Sequence, residues 1–209
     1  MRSWLPTILL AAALPLAAHA QTKPALVQEA VIPLPDTRGR IDHMTVDLAR
    51  NRLFVAELAN NTVDVVDLGA RRVIHRITGL DEPQGVAFDA KNDLLAVASG
   101  GDGTLKLFSG RDYKQRAAVQ VGDDPDNVRL DPRNNMLVVA YGASVSGALA
   151  VIDPVKAAKL REIPLPAHPE SFRLQGSKAF VNVPGAGKIL VGDLDSGKVI
   201  ATWTPGRGG

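Results

Sequence analysis

The 209 residues are 45% hydrophobic and 22% charged, an ordinary globular balance. A net charge of +2 and an aromatic share of 4% argue against a nucleic-acid surface or a stacking platform for single strands. Cysteine is absent, which excludes disulfides, thiolate metal sites and haem attached through cysteines, so stability must come from packing.

The chain opens on a leader. Arg2 gives a positive start, Leu5 to Leu16 form a short apolar run, and Ala18-His19-Ala20 places small residues around a bulkier one. This layout predicts a signal peptide over residues 1–20, cleaved after Ala20, and makes the periplasm the expected compartment. The apolar run is shorter than the roughly 20 residues a bilayer span needs, and no later segment is long and apolar enough.

Residues 21–209 read as one β-repeat domain. Near its start, Val31-Ile32-Pro33-Leu34-Pro35 resembles Glu162-Ile163-Pro164-Leu165-Pro166, so an outer, ring-closing strand is predicted over 27–35. Units of about 42 residues follow, over approximately 36–80, 81–122, 123–166 and 167–209. Their leading segments HMTVD, GVAFD, NVRLD and SFRLQ end at Asp47, Asp89, Asp131 and Gln175, in steps of 42, 42 and 44. Their third segments VDVVD, LKLFS, LAVID and ILVGD end at Asp67, Ser109, Asp153 and Asp193, in steps of 42, 44 and 40.

Alternating and β-branched residues bounded by turn formers predict four strands per unit. In the first unit these are His43–Asp47, Arg52–Leu58, Thr62–Leu68 and Arg72–Thr78; in the second, Gly85–Asp89, Leu94–Ser99, Thr104–Ser109 and Arg116–Val121. In the fourth unit Lys198–Trp203 is the outer strand. Asn51, Asn60-Asn61, Asn92-Asp93, Asn134-Asn135 and Gly185 mark tight turns. The strand-ending aspartates Asp47, Asp67, Asp89, Asp131, Asp153 and Asp193 recur with the period, which points to turn geometry rather than catalysis. No helical periodicity is sustained anywhere. The fold class is all-β, a β-propeller of four-stranded antiparallel blades, because a lone twisted sheet of this size must pack on a neighbour to bury both faces.

The stretches GVAFDAKNDLLAVASGGDGTLKLFSG and NTVDVVDLGARRVIHRI resemble the YVTN-type repeats of the YncE-like β-propeller family. The resemblance covers the chain after the leader. It implies an exported, seven-bladed architecture, mostly without an assigned reaction, and a distant likeness to the propeller of haem-containing nitrite reductases. Five outer-type strands against four inner ones imply a ring that does not close within these residues. On the seven-bladed pattern about three units are missing. A complete four-bladed ring with a spare N-terminal arm is the other count.

Aligning the units on Ile41, Pro83, Pro125 and Pro169 lets the rim of the central channel be read in columns. The preceding column is Arg40, Glu82, Asp124 and His168; the following ones are Asp42, Gln84, Asp126, Glu170 and His43, Gly85, Asn127, Ser171. Arg40, Asp42, His43, Gln84, Asp126, Asn127, His168 and Glu170 are the candidate ligand-binding residues. Asp42, Asp126 and Glu170 with Asn127 or Gln84 would suit a hard divalent cation, and His43 with His168 a transition metal. The same side chains would equally serve as loop hydrogen-bonding groups at a hydrated channel mouth. No catalytic residue is indicated: Ser144, Ser146 and Ser171 lack a nucleophile elbow, and Gly100-Gly101-Asp102-Gly103 lies between strands rather than before a helix. The expected function is therefore a non-catalytic module binding a partner protein or a small polar ligand, with no cofactor required. The alternatives are a metal-dependent, lactonase-like hydrolase and an accessory of haem or metal handling.

Overall fold

The computed structural model describes residues 26–206. The leader read over residues 1–20 lies outside them. Two units divide the chain, Met1–Val31 and Ile32–Gly209. The described part of the first, residues 26–31, carries no regular element, and the sixteen strands found among the described residues lie in the second.

The strands form four sheets, each built from four consecutive antiparallel strands. The first holds β1 (Met44–Asp47), β2 (Arg52–Glu57), β3 (Thr62–Asp67) and β4 (Arg72–Ile77). The second holds β5 (Pro83–Asp89), β6 (Leu94–Ser99), β7 (Thr104–Ser109) and β8 (Gln115–Gln120). The third holds β9 (Val128–Leu130), β10 (Leu137–Ala143), β11 (Ser146–Asp153) and β12 (Ala158–Leu165). The fourth holds β13 (Ser171–Gln175), β14 (Lys178–Val183), β15 (Lys188–Asp193) and β16 (Lys198–Trp203). The sheets pack as propeller blades, with β1, β5, β9 and β13 innermost.

The recurring aspartates make the turns. Asp47 Oδ1 accepts from the Ala49 and Arg50 amides, Asp89 Oδ1 from Lys91 and Asn92, and Asp153 Oδ1 from Val155 and Lys156. Asp67, Asp131 and Asp193 accept from Ala70, Arg133 and Ser196 in the same way. Asn51, Asn61, Asp93 and Asn135 take left-handed φ of 53°, 58°, 52° and 61°, where a short polar side chain is tolerated. Every sheet also carries one register shift between its third and fourth strands, at Val65/Val66, Leu107/Phe108, Val151/Ile152 and Val191/Gly192. A bulge there adds twist to the outer strand.

Three apolar cores join the blades in sequence. Phe54, Val63 and Val65 meet Val86, Phe88 and Leu95; Ala96, Leu105 and Leu107 meet Val139, Ala150 and Ile152; Val138, Leu149 and Ile163 meet Phe172, Val181 and Leu190. Among the described residues no such core joins the first blade to the fourth. The inner strands reflect this. β5, with a blade on each side, is buried along its whole length, whereas β1 and β13 alternate between covered and exposed residues.

Polar ties reinforce the seams. Arg50 pairs with Asp93 at 2.8 Å, Arg133 with Asp195 at 2.9 Å, and Asn135 donates to Asp89 at 3.0 Å. His75, on the outer strand β4, stacks on Tyr113 of the next blade at 4.9 Å.

The closing strand expected over 27–35 does not form. A fourth strand needs the free edge of a third, and β3, β7, β11 and β15 are each already paired with their own β4, β8, β12 and β16. Among the described residues four outer strands form, one per sheet, and residues 27–35 join none of the four sheets.

Candidate functional site at the channel mouth

The rim residues are fixed by extensions of the strand ladders. The Asp42 amide donates to the Ala56 carbonyl, and the Ala56 amide donates back to the carbonyl of His43, both at 2.9 Å. Asp126 and Asn127 repeat this with Ala140 at 2.9 Å, and Glu170 donates to the Asn182 carbonyl at 3.1 Å. The first, third and fourth blades thus pin the same positions, and the candidate residues fall at one level. Arg40, Asp42, His43, Gln84, Asp126, Asn127, His168 and Glu170 all line a single cavity of about 410 Å³. Asp124 completes its lining, while Glu82 of the same column does not.

These residues do different work. Three are committed to hydrogen bonds between blades. Gln84 donates to Asp124 at 2.5 Å, joining the second and third blades. Asn127, 2% exposed, donates to Asp126 and to the Glu170 carbonyl and accepts from Arg129, joining the third and fourth. His168 Nδ1 lies 2.8 Å from the Gly142 carbonyl, which makes that nitrogen the protonated one. Arg40 and Glu170 are exposed at the edge, Arg40 forming a 2.9 Å ion pair with Asp42.

Asp42, His43 and Asp126 converge. A ligand atom from each falls within 4.8 Å of the others. His43 Nε2 is 3.1 Å from Asp126 Oδ1, and His43 Nδ1 is 3.7 Å from Asp42 Oδ1. Both His43 Nε2 and Asp126 Oδ1 are buried, and they face only each other, with no further hydrogen-bond partner among the described residues. Such atoms are costly unless a charge or ligand satisfies them. Glu170 and His168 stand outside this trio, so neither an all-carboxylate set nor a His43–His168 pair is assembled.

The contact with Asp126 raises the His43 pKa above its ordinary 6.5. Burial opposes that, the charges of Asp126 and Asp42 add to it, and Arg129 subtracts. A raised folded value favours the imidazolium, so this contribution to stability is complete below the unfolded pKa and disappears as pH rises through the folded one. In metal-free buffer the urea-midpoint difference between wild type and His43→Gln should therefore be larger near about pH 6 than near about pH 8.5. Equal differences at the two pH values would contradict this account.

Sequence reasoning missed Asp124 and Arg129. Asp124 stands in an aligned column, but its partner Gln84 is visible only in three dimensions. Arg129 lies two residues beyond the last column read, and extending the same alignment would have reached it.

No protein-family profile matches the chain, and no curated protein matches it. Among solved structures, hydrazine synthase of Kuenenia stuttgartiensis is similar with a TM-score of 0.74 at 20% identity, over 86% of this chain and 53% of that one. The chain thus spans about half the length of that match. At this identity the likeness shows the fold alone. Matches to 906 solved chains make that fold a common scaffold rather than the mark of one activity.

Proposed function

We propose that this chain is part of an exported, periplasmic YncE-like propeller and serves as a binding module whose channel mouth takes a divalent cation. The observation that carries the cation is the Asp42–His43–Asp126 trio, with two of its ligand atoms buried against each other and without a further partner among the described residues. A mixed set of one imidazole and two carboxylates suits a borderline transition metal better than calcium or magnesium, which favour oxygen alone. Three protein ligands leave positions open, so a small polar ligand can reach the metal from the cavity. The larger ring is supported by the uneven burial of the inner strands. β1 and β13 each present a row of side chains that a further blade would cover, including Met44 at 57% exposure.

The test is thermal unfolding of chelator-treated protein with and without zinc, manganese or calcium. Wild type should be stabilised by zinc or manganese more than by calcium. Asp126→Asn should weaken the affinity by at least about 100-fold. No stabilisation by any of the three, or an unchanged response in Asp126→Asn, would remove the cation from this reading. Turnover of a lactone by the zinc-loaded protein would move the module into the enzymes.

A further inference from the structure

Below the mouth, the channel wall changes sign. The inner strands place Thr45, Ala87, Arg129 and Arg173 at one repeat position, two residues past the His43 column. His43, Thr45, Ala87, Arg129 and Arg173 together line a second cavity of about 370 Å³. Thr45 and Ala87 are small, so the two guanidiniums from neighbouring blades share the space in front of them.

Arg129 is half-buried and held in place. It donates to the Val128 carbonyl at 2.8 Å and to Asn127 Oδ1 at 3.0 Å, and its guanidinium lies 5.6 Å from the centre of the Phe172 ring. Burial, and then the charge of Arg173, depress its pKa; Asp126 is the one carboxylate acting the other way. Arg173 has no ion-pair partner among the described residues. Two like charges held near each other on a partly desolvated wall repel, and an anion between them would relieve the repulsion. A guanidinium has five donors in a fixed fork, of which Arg129 spends two on the protein. The rest, with Arg173, match the oxygens of a phosphate or carboxylate.

We propose that the channel below the mouth binds a small oxyanion, a phosphate or a dicarboxylate, gripped by Arg129 and Arg173. This site adjoins the cation trio, sharing His43 with it, but its grip uses neither Asp42 nor Asp126. The charge of Asp126 acts on Arg129, so that carboxylate opposes an anion there when no cation neutralises it.

Isothermal titration of the chelator-treated protein at low ionic strength, with inorganic phosphate and separately with malonate, tests it. One-site binding of at least one of the two is expected, and whichever binds tighter identifies the oxyanion. Arg173→Ala, a change at an exposed position, should weaken binding at least about ten-fold while leaving the response to zinc or manganese unchanged. Asp126→Asn should keep or strengthen the anion and lose the cation, so failure of one site is distinguishable from failure of the other. Absence of binding by both anions in wild type would overturn the proposal. So would an equal loss in Arg173→Ala and in Arg116→Ala, whose side chain lies on the exposed outer strand β8.

Discussion

Replacing Arg76 with alanine is expected to destabilise the protein by about 3–5 kcal/mol, the usual cost of leaving buried charges unpaired. Glu57 and Asp64 are both 0% exposed, and Arg76 reaches each of them. It forks onto Asp64 through Nε at 2.6 Å and through the terminal nitrogen at 2.8 Å, and that same nitrogen lies 3.7 Å from Glu57. The hydroxyls of Thr37 and Thr62 and the Asn60 amide satisfy the remaining Glu57 lone pairs. Without the guanidinium these neutral donors would hold Glu57, but Asp64 would lose its whole fork. Urea denaturation should show a midpoint lower by roughly 1–3 M at unchanged slope. Arg76→Lys should fall between the two, because an ammonium cannot form the bidentate pair. A loss below about 1 kcal/mol in Arg76→Ala would place the pair among exposed salt bridges of little value. The effect extends to the mouth: Arg76 also donates to the Pro35 carbonyl at 2.6 Å, and Thr37 donates to Glu57, so the segment leading to Arg40 and Asp42 is tied down here.

Gly85→Ala is the second large effect. A Cβ on Gly85 would stand 1.8 Å from the Asp126 carbonyl oxygen and 2.9 Å from the Val128 nitrogen, both backbone atoms of the next blade. Neither can rotate away, so the second and third blades must separate. Gly85 also lies within the register shift between Pro83 and Val86, where β5 bends toward its neighbour. The expected cost is about 3 kcal/mol, the upper end for overpacking. Gly69→Ala, whose Cβ would meet only side-chain atoms at 3.4 Å and beyond, should be near neutral by comparison. Since the displaced carbonyl belongs to Asp126, Gly85→Ala should also weaken zinc binding, measurable in the thermal-shift assay at a temperature where the variant is folded. Equal stability of the Gly85→Ala and Gly69→Ala proteins would contradict the close approach.

The strands were legible because two periods coincide in this chain, alternation within a strand and recurrence between units. Leu94–Ser99, Thr104–Ser109, Ser171–Gln175 and Lys198–Trp203 have the bounds read from the residues. The third unit's inner strand is shorter than its likeness to GVAFD suggests, running only Val128–Leu130. The same recurrence placed the rim residues around one cavity, since residues at equal repeat positions share a level. Their division of labour was not legible. Whether a polar side chain faces the cavity or a neighbouring blade depends on contacts between units, and those have no period in the sequence. His168, turned onto Gly142, and Gln84, spent on Asp124, are the examples. The Glu57–Asp64–Arg76 cluster escaped for a related reason: on β2, β3 and β4 these residues sit where alternation alone gives ordinary sheet positions, and only the fold shows the carboxylates sealed from water.

Every strand here pairs only with the strand before or after it in the chain. Each blade can therefore complete its own hydrogen bonding as soon as its forty-odd residues are synthesised, without waiting for a distant partner. The same locality makes the blade a unit of duplication. Copying or deleting one leaves the pairings of the others intact and asks only that two seams, with their apolar stripes and their rim residues, fit again. A family built this way can change the circumference of its ring, and with it the number of side chains offered to a ligand, by recombination at the turns rather than by redesign of any sheet.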